Sequence, residues 1–354
     1  MVGIGFIDNQ KRSAQPKNKY STSDNTDTNS NNKCLTSNII NGINGQCNWP
    51  QDRKLFMDQP IDAELVAEAR ESLRKECEST ADWKNVYCQD HYDELLNDEP
   101  GTSCWRYIIY YDKDVEKAVD FMKRAMIWRR ENKISELNES MFVKEFWHWS
   151  PCGMPGVTKE GHGALFVCGR LYRKPDAIFR DSIRKYILYQ LFSWDKAHRH
   201  DLSQMVIIFE TSNTGFSNID ADLMSWSISI IDFIPARIAS VFVTGVPMLI
   251  RPLVRLIISW LPERFKRIVH CGTFDELVRA SIDDSSIPVE CGGTSDSRYR
   301  IAPATAPWLK DTDMANDEAL LKAMKYSICF GLSQERLEFL EKLQLDYEQT
   351  EKKK

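Results

Sequence analysis

The chain has 354 residues, 42% of them hydrophobic and 27% charged, with a mean hydropathy of −0.43. That length suits one large domain or two ordinary ones, and the hydropathy excludes a protein of many membrane spans. Lys and Arg total 46 against 51 Asp and Glu, a net charge of −5, so the basic surplus that sequence-independent nucleic-acid binding requires is missing.

Residues 9 to about 50 are rich in Asn, Ser, Thr and Asp. They carry too little apolar surface to offset the entropy of ordering, and a disordered tail is expected over residues 1–55. The opening apolar stretch ends at Asp8, too short for a signal-peptide core, and Val2 excludes the Met-Gly start of N-myristoylation. The last residues, Glu351-Lys352-Lys353-Lys354, are not a prenylation box. A cytoplasmic location is the expectation. The ten cysteines are scattered with no C-x-x-C spacing, which favours free thiols in a reducing compartment over zinc knuckles or a disulfide framework.

Residues 56–149 read as a helical subdomain. Ile61, Leu65, Val66, Ala69 and Leu73 recur at steps of three and four. Asp112 is the expected N-cap of the next clear helix, whose inner stripe is Val115, Ala118, Val119, Met122 and Met126.

After Pro151 the texture changes. Residues 164–168, 205–209, 240–244 and 267–270 are short, nearly continuous apolar runs, expected as strands covered on both faces. Helical patterns lie between them: one follows Pro175, with Ile178, Ile183, Ile187, Leu188, Leu191 and Phe192 inward, and one is capped by Asp220 or Asp222. Strands alternating with helices predict an α/β lobe with a mainly parallel sheet over residues 150–296. A loop and a helical C-terminal tail are expected over residues 297–354.

The segment Val241–Leu261 is apolar enough to suggest a membrane span. Gly245, Pro247, Arg251, Pro252 and Arg255 interrupt it, so a strand followed by a short helix fits better. Within the helix Leu249–Leu261, Arg251, Arg255 and Ser259 form one narrow polar stripe and apolar residues fill the rest. A helix on a soluble domain normally has one apolar face. This one is either buried on nearly all sides or meets lipid or an apolar ligand with its extra face.

Candidate catalytic features are weak. His270-Cys271 resembles the start of a cysteine-phosphatase cradle, but Leu277 stands where the arginine belongs and Asp275 and Glu276 would repel an anion. His198 and His200 read as a solvated turn rather than a metal site. Gly292-Gly293 lacks the Rossmann and P-loop spacing. Glu210 ends a strand where α/β enzymes often keep a carboxylate, but no His or Lys accompanies it.

Four features stand in a telling order: Asp114-Val115-Glu116-Lys117-Ala118-Val119 with Trp128-Arg129-Arg130-Glu131, then Phe233-Ile234-Pro235-Ala236-Arg237, the strand ending at Pro247 with the apolar helix after it, and Ile287-Pro288-Val289-Glu290-Cys291-Gly292-Gly293-Thr294. In this order they resemble the CRAL-TRIO (Sec14-like) lipid-binding family. The likeness covers roughly residues 65 to 296.

The resemblance implies a helical N-terminal subdomain packed on an α/β lobe, with a hydrophobic pocket under a mobile gate helix. The gate and lipid-binding residues would be Met248, Leu249, Ile250, Leu253, Val254, Ile257, Ile258 and Leu261. It further implies a non-enzymatic carrier or sensor with no cofactor beyond the bound lipid, peripheral at membranes. The expected ligand is a phospholipid or a small tocopherol- or retinoid-like molecule. Phosphatidylinositol binders of the family often carry a gate-helix lysine where this chain has Ile258, which leaves Arg251 and Arg255 as candidate headgroup contacts. A protein-interaction module on the same scaffold, using the tails for docking, is the alternative, since fold does not fix function.

Overall fold

The computed structural model describes residues 59–174, 177–200, 203–231, 233–235, 237–261, 263–295 and 301–312, and, near the C-terminus, 338, 341–342, 344–346, 348–349 and 352–353. The expected N-terminal tail and the first half of the expected C-terminal helix lie outside the described residues.

The N-terminal part is helical: α1 Ala63–Glu78, α2 Trp83–Val86, α3 Gln89–Asn97, α4 Thr102–Tyr110, α5 Val115–Glu131 and α6 Lys144–Trp149. The Asp62 side chain caps α1 by accepting from the Glu64 and Leu65 N–H groups. The cap of α5 is Asp114, which accepts from the Lys117 N–H at 3.0 Å. Asp112, the cap expected from the sequence, instead has a left-handed φ of 53° and turns the chain between α4 and α5. Val66, Ala69 and Leu73 of α1 pack with Trp105 and Ile108 of α4 and Val119, Met122 and Met126 of α5 in one core.

The second part contains a sheet of five strands: β1 Cys152–Val157, β2 Gly163–Cys168, β3 Met205–Glu210, β4 Ile238–Thr244 and β5 Val269–Gly272. Their spatial order is β1-β2-β3-β4-β5. Strands β2 to β5 run parallel, and β1 pairs antiparallel on the edge of β2 with a register shift between Gly153 and Gly156. The mixed, mainly parallel α/β architecture is the one the sequence predicts, with β1 as the strand it did not reveal.

The crossovers are α7 Ala177–Ala197 between β2 and β3, α8 Ala221–Ile231 between β3 and β4, and α9 Arg251–Ser259 with the short α10 Glu263–Lys266 between β4 and β5. Each new strand is added on the same side of the last, so crossovers of one hand place their helices on one face of the sheet. The Asp220 carboxylate starts α8, accepting from the Asp222 and Leu223 N–H groups at 3.1 Å. The opposite face is covered by the chain after β5: Leu277, Val278, Ile282 and Ile287 pack on Ala164, Phe166, Val206, Ile208 and Phe242.

Candidate functional site

Side chains alternate across a strand. With Phe166, Ile208 and Phe242 committed to the opposite face, Leu165 and Val167 of β2, Ile207 and Phe209 of β3, and Val241 and Val243 of β4 point toward α7, α8 and α9. They do not meet those helices everywhere. Val167, Phe209 and Val241 lie within central strands yet stay only half-buried, because a cavity of about 280 Å³ separates sheet from helices.

The roof follows helix periodicity. Ile183, Tyr186, Ile187, Gln190 and Leu191 form one stripe of α7, at i, i+3, i+4, i+7 and i+8. Leu223, Met224, Ser227 and Ile228 line it from α8. Ile250, Val254, Ile257, Ile258 and Leu261 close the side next to β4 and β5.

The expected gate residues therefore fall in two places. Ile250, Val254, Ile257, Ile258 and Leu261 line the cavity, whereas Met248, Leu249 and Leu253 do not. Met248 and Leu249 form a 3₁₀ turn before α9, and they are 79% and 67% exposed. Leu256 and Trp260 are also exposed. Burial of this helix on nearly all sides, one of the two sequence readings, is thus corrected: Ile250 and Ile258 are its buried apolar residues, and its other side carries an uncovered apolar strip. Neither Arg251 nor Arg255 lines the cavity, and Arg251 Nε donates to the Val246 carbonyl at 3.4 Å.

Among the described lining residues no Lys or Arg occurs, and the one carboxylate is Asp220. Besides capping α8, Asp220 accepts from the Tyr172 hydroxyl at 3.0 Å and faces Arg180 at 3.6 Å. Burial, and then the Asp220 charge, push the Tyr172 phenol well above its usual range, so it remains a donor. The cavity is an apolar chamber whose single charge is already compensated.

The other candidates fall outside it. Glu210 does not line the cavity; it is held by Arg170 at 3.4 Å and by the Ser212 N–H at 2.9 Å, a structural arrangement. His198 stacks on Trp194 at 3.8 Å, and His200 pairs with Asp98 at 2.6 Å. Among the described residues, no group of three or more His, Cys, Asp or Glu could hold a metal ion. Cys271 is a buried free thiol, and burial pushes it up to about 12, which suppresses the thiolate a nucleophile needs. Gln190 was not visible as a site residue. Its signal in the sequence is that it is the polar member of an otherwise apolar and aromatic stripe.

The fold and cavity define an α/β protein built around an internal apolar chamber. Residues 150–293 match the family model of the CRAL/TRIO domain, the family that the sequence resembles. Members are typically non-enzymatic ligand-binding proteins. The crystal structure of Sfh5 aligns with 86% of this chain and 99% of its own, at 14% identity and a TM-score of 0.44. Among the described residues, no helix is long and apolar enough to cross a membrane.

Proposed function

We propose that this chain binds one hydrophobic, lipid-like molecule in the cavity and exchanges it at membrane surfaces by movement of the Ile250–Leu261 segment. The observation that carries this reading is the two-sidedness of that segment: Val254 and Ile257 line the cavity while Met248, Leu249, Leu256 and Trp260 offer apolar surface to the outside. A helix so built has apolar partners in both states, the chamber when closed and the acyl region of a bilayer when open. Sheltering an acyl chain from water is worth about 0.8 kcal/mol per methylene, which is ample to hold a long chain through an aqueous transit.

The chemistry of the lining narrows the cargo. A phospholipid and a tocopherol- or retinoid-like molecule all satisfy the walls, but a phosphate would have no cationic side chain to meet among the described lining residues. Any charged headgroup would therefore stay outside. We read the protein as a carrier or sensor rather than an enzyme, since Glu210 and Cys271 are built into the fold. Within the family, Leu137–Ser140, Glu210–Gly215 with Asn218–Asp222, and Ser259–Glu263 resemble the CRAL-TRIO part of motile sperm domain-containing protein 2.

Native mass spectrometry and lipid extraction of the purified chain test this directly. A stoichiometric co-purifying lipid, transferred between donor and acceptor vesicles, is expected. A lipid-free protein that moves no labelled lipid overturns the reading.

A further inference from the structure

The polar side chains along the cavity divide sharply. Tyr186 is bonded to Ser150 Oγ at 2.8 Å, and Tyr172 to Asp220. The Thr211 and Thr214 hydroxyls donate to the carbonyls of Thr244 and Thr211, both at 2.6 Å. The Asn218 side chain donates to the Tyr172 carbonyl and accepts from the Gly215 N–H. Gln190 and Ser227 line the same cavity and have no side-chain hydrogen bond to any described residue.

Both interrupt apolar stripes. Gln190 lies between Ile187 and Leu191 on the cavity side of α7, and Ser227 between Met224 and Ile228 on that of α8. Helix propensity does not ask for either, since Leu and Ala serve at least as well. Packing does not ask for them, because every neighbour on the stripe is apolar or aromatic. Both side chains are half-buried rather than sealed in the interior, so a ligand that fills the cavity would bury an amide and a hydroxyl whose hydrogen bonds it must then supply.

We propose that Gln190 and Ser227 form a neutral hydrogen-bonding subsite that holds an uncharged oxygen function of the lipid, a hydroxyl or an ester carbonyl, inside the cavity. The Gln190 amide can donate and accept, and the Ser227 hydroxyl can rotate to do either. Each suits an oxygen that is itself donor and acceptor, or acceptor alone. They do not suit an ionised group. An anion would leave water for a chamber without a described Lys or Arg and would face Asp220, and a cation would lose its hydration for two neutral dipoles. The subsite thus assigns the cargo a neutral polar anchor within the chamber.

This inference rests on the proposed carrier function, and the experiment separates the two. Nile red is bound to the full chain and displaced by dodecan-1-ol or by dodecane, in wild type, Ser227→Ala and Gln190→Leu. Circular dichroism checks the fold, and Ser227→Ala removes only one oxygen. Each substitution is expected to weaken displacement by the alcohol by about threefold to tenfold and to leave dodecane unchanged or tighter. An equal effect on alcohol and hydrocarbon, or no effect on either, overturns the subsite while leaving the carrier reading intact. Failure of Nile red and both displacers to bind at all overturns both.

Discussion

The Arg237 guanidinium donates from Nε to the Asp195 carboxylate at 2.5 Å, with both side chains buried. Arg129 of α5 reaches the same carboxylate at 3.2 Å, and Arg237 also donates to the Ser203 carbonyl at 3.0 Å. The pair therefore joins the helical layer, the end of α7 and the start of β4 at one point. A few residues earlier, Phe233 stacks between Trp128 and Phe121, with centroids at 4.5 Å and 5.9 Å. The Phe233–Arg237 string is a clamp between the N-terminal helices and the lobe. Removing Arg237 leaves Asp195 buried with part of its compensation gone, and Arg237→Ala is expected to cost about 3–5 kcal/mol. Arg237→Lys should recover only part of it, because the planar fork is lost. Urea unfolding measures both. A loss for Arg237→Ala no larger than a surface change, about 0.5 kcal/mol, would show that the clamp is dispensable.

The same region sets the pH dependence of stability. His91 is buried, with the Tyr107 hydroxyl at 2.8 Å and Glu94 at 3.0 Å. Burial, and then the Arg129 charge, lower its pKa below 6.5 in spite of Glu94. Below pH 6.5 the unfolded chain binds a proton there that the native state resists, so stability falls as pH drops. For Asp195, burial alone would raise the carboxyl, but Arg237, Arg129 and Arg106 outweigh it and hold it below 3.8. Its contribution is complete above that value and is lost as pH falls further. Urea midpoints are expected to decline in two stages, one starting below about pH 6.5 and one below about pH 4. His91→Gln should flatten the first stage. A variant with the wild-type slope between pH 7 and 5 would exclude His91 as its source.

Legibility from the sequence follows the number of covered faces. Strands β2, β3 and β4 announced themselves because both faces are covered, which leaves continuous apolar runs. Strand β1 has one partner and reads Cys-Gly-Met-Pro-Gly-Val, with Pro155 tolerated beside an edge irregularity, so neither alternation nor an apolar run marks it. Helix α4 is buried nearly all round, its polar Ser103 and Arg106 included along with Trp105, Ile108 and Ile109, so its apolar and polar positions do not mark an inner and an outer face. The apolar surplus of the Leu249–Leu261 segment was plain, but which residues face the chamber depends on how the helix is rotated over β4 and β5. Arg237 and Asp195 stand 42 positions apart and neither carries a local signal of the other.

Gly293 makes a sharper demand than the flexible loop its neighbours suggest. A Cβ there would lie 2.2 Å from the Ile287 carbonyl oxygen and 2.6 Å from the Ile287 carbonyl carbon, both backbone atoms that no rotamer change can move. The preceding Gly292 has φ +83° and caps the 3₁₀ turn Val289–Cys291. The pair lets the chain fold back so that the Ser295 N–H meets the Ile287 carbonyl at 3.0 Å. Gly293→Ala is expected to destabilise by about 1–3 kcal/mol, as overpacking does. Gly161→Ala, with open space around its Cβ, should cost only the strain of its positive φ. Thermal melts of the two variants compare them. Equal, small losses would mean that Ile287 yields easily.

Under the carrier reading, the two sides of the Ile250–Leu261 region have separable roles, and substitutions should split binding from exchange. Ile257→Asp puts a carboxylate into a chamber with no described cationic lining, so co-purifying lipid should be lost. Leu249→Asp changes a residue that is 67% exposed and off the cavity wall. The fold and the bound lipid should persist, since no contact to either is removed. What it removes is apolar area available to the bilayer, worth about 1.5–3 kcal/mol for a leucine, so vesicle-to-vesicle transfer should slow by about tenfold to a hundredfold. Trp260→Ala should act in the same direction. Lipid content by mass spectrometry and transfer by fluorescence are read on the same preparations. Wild-type transfer by Leu249→Asp, with lipid bound, would remove the outer strip from the exchange step and leave the chamber alone responsible for function.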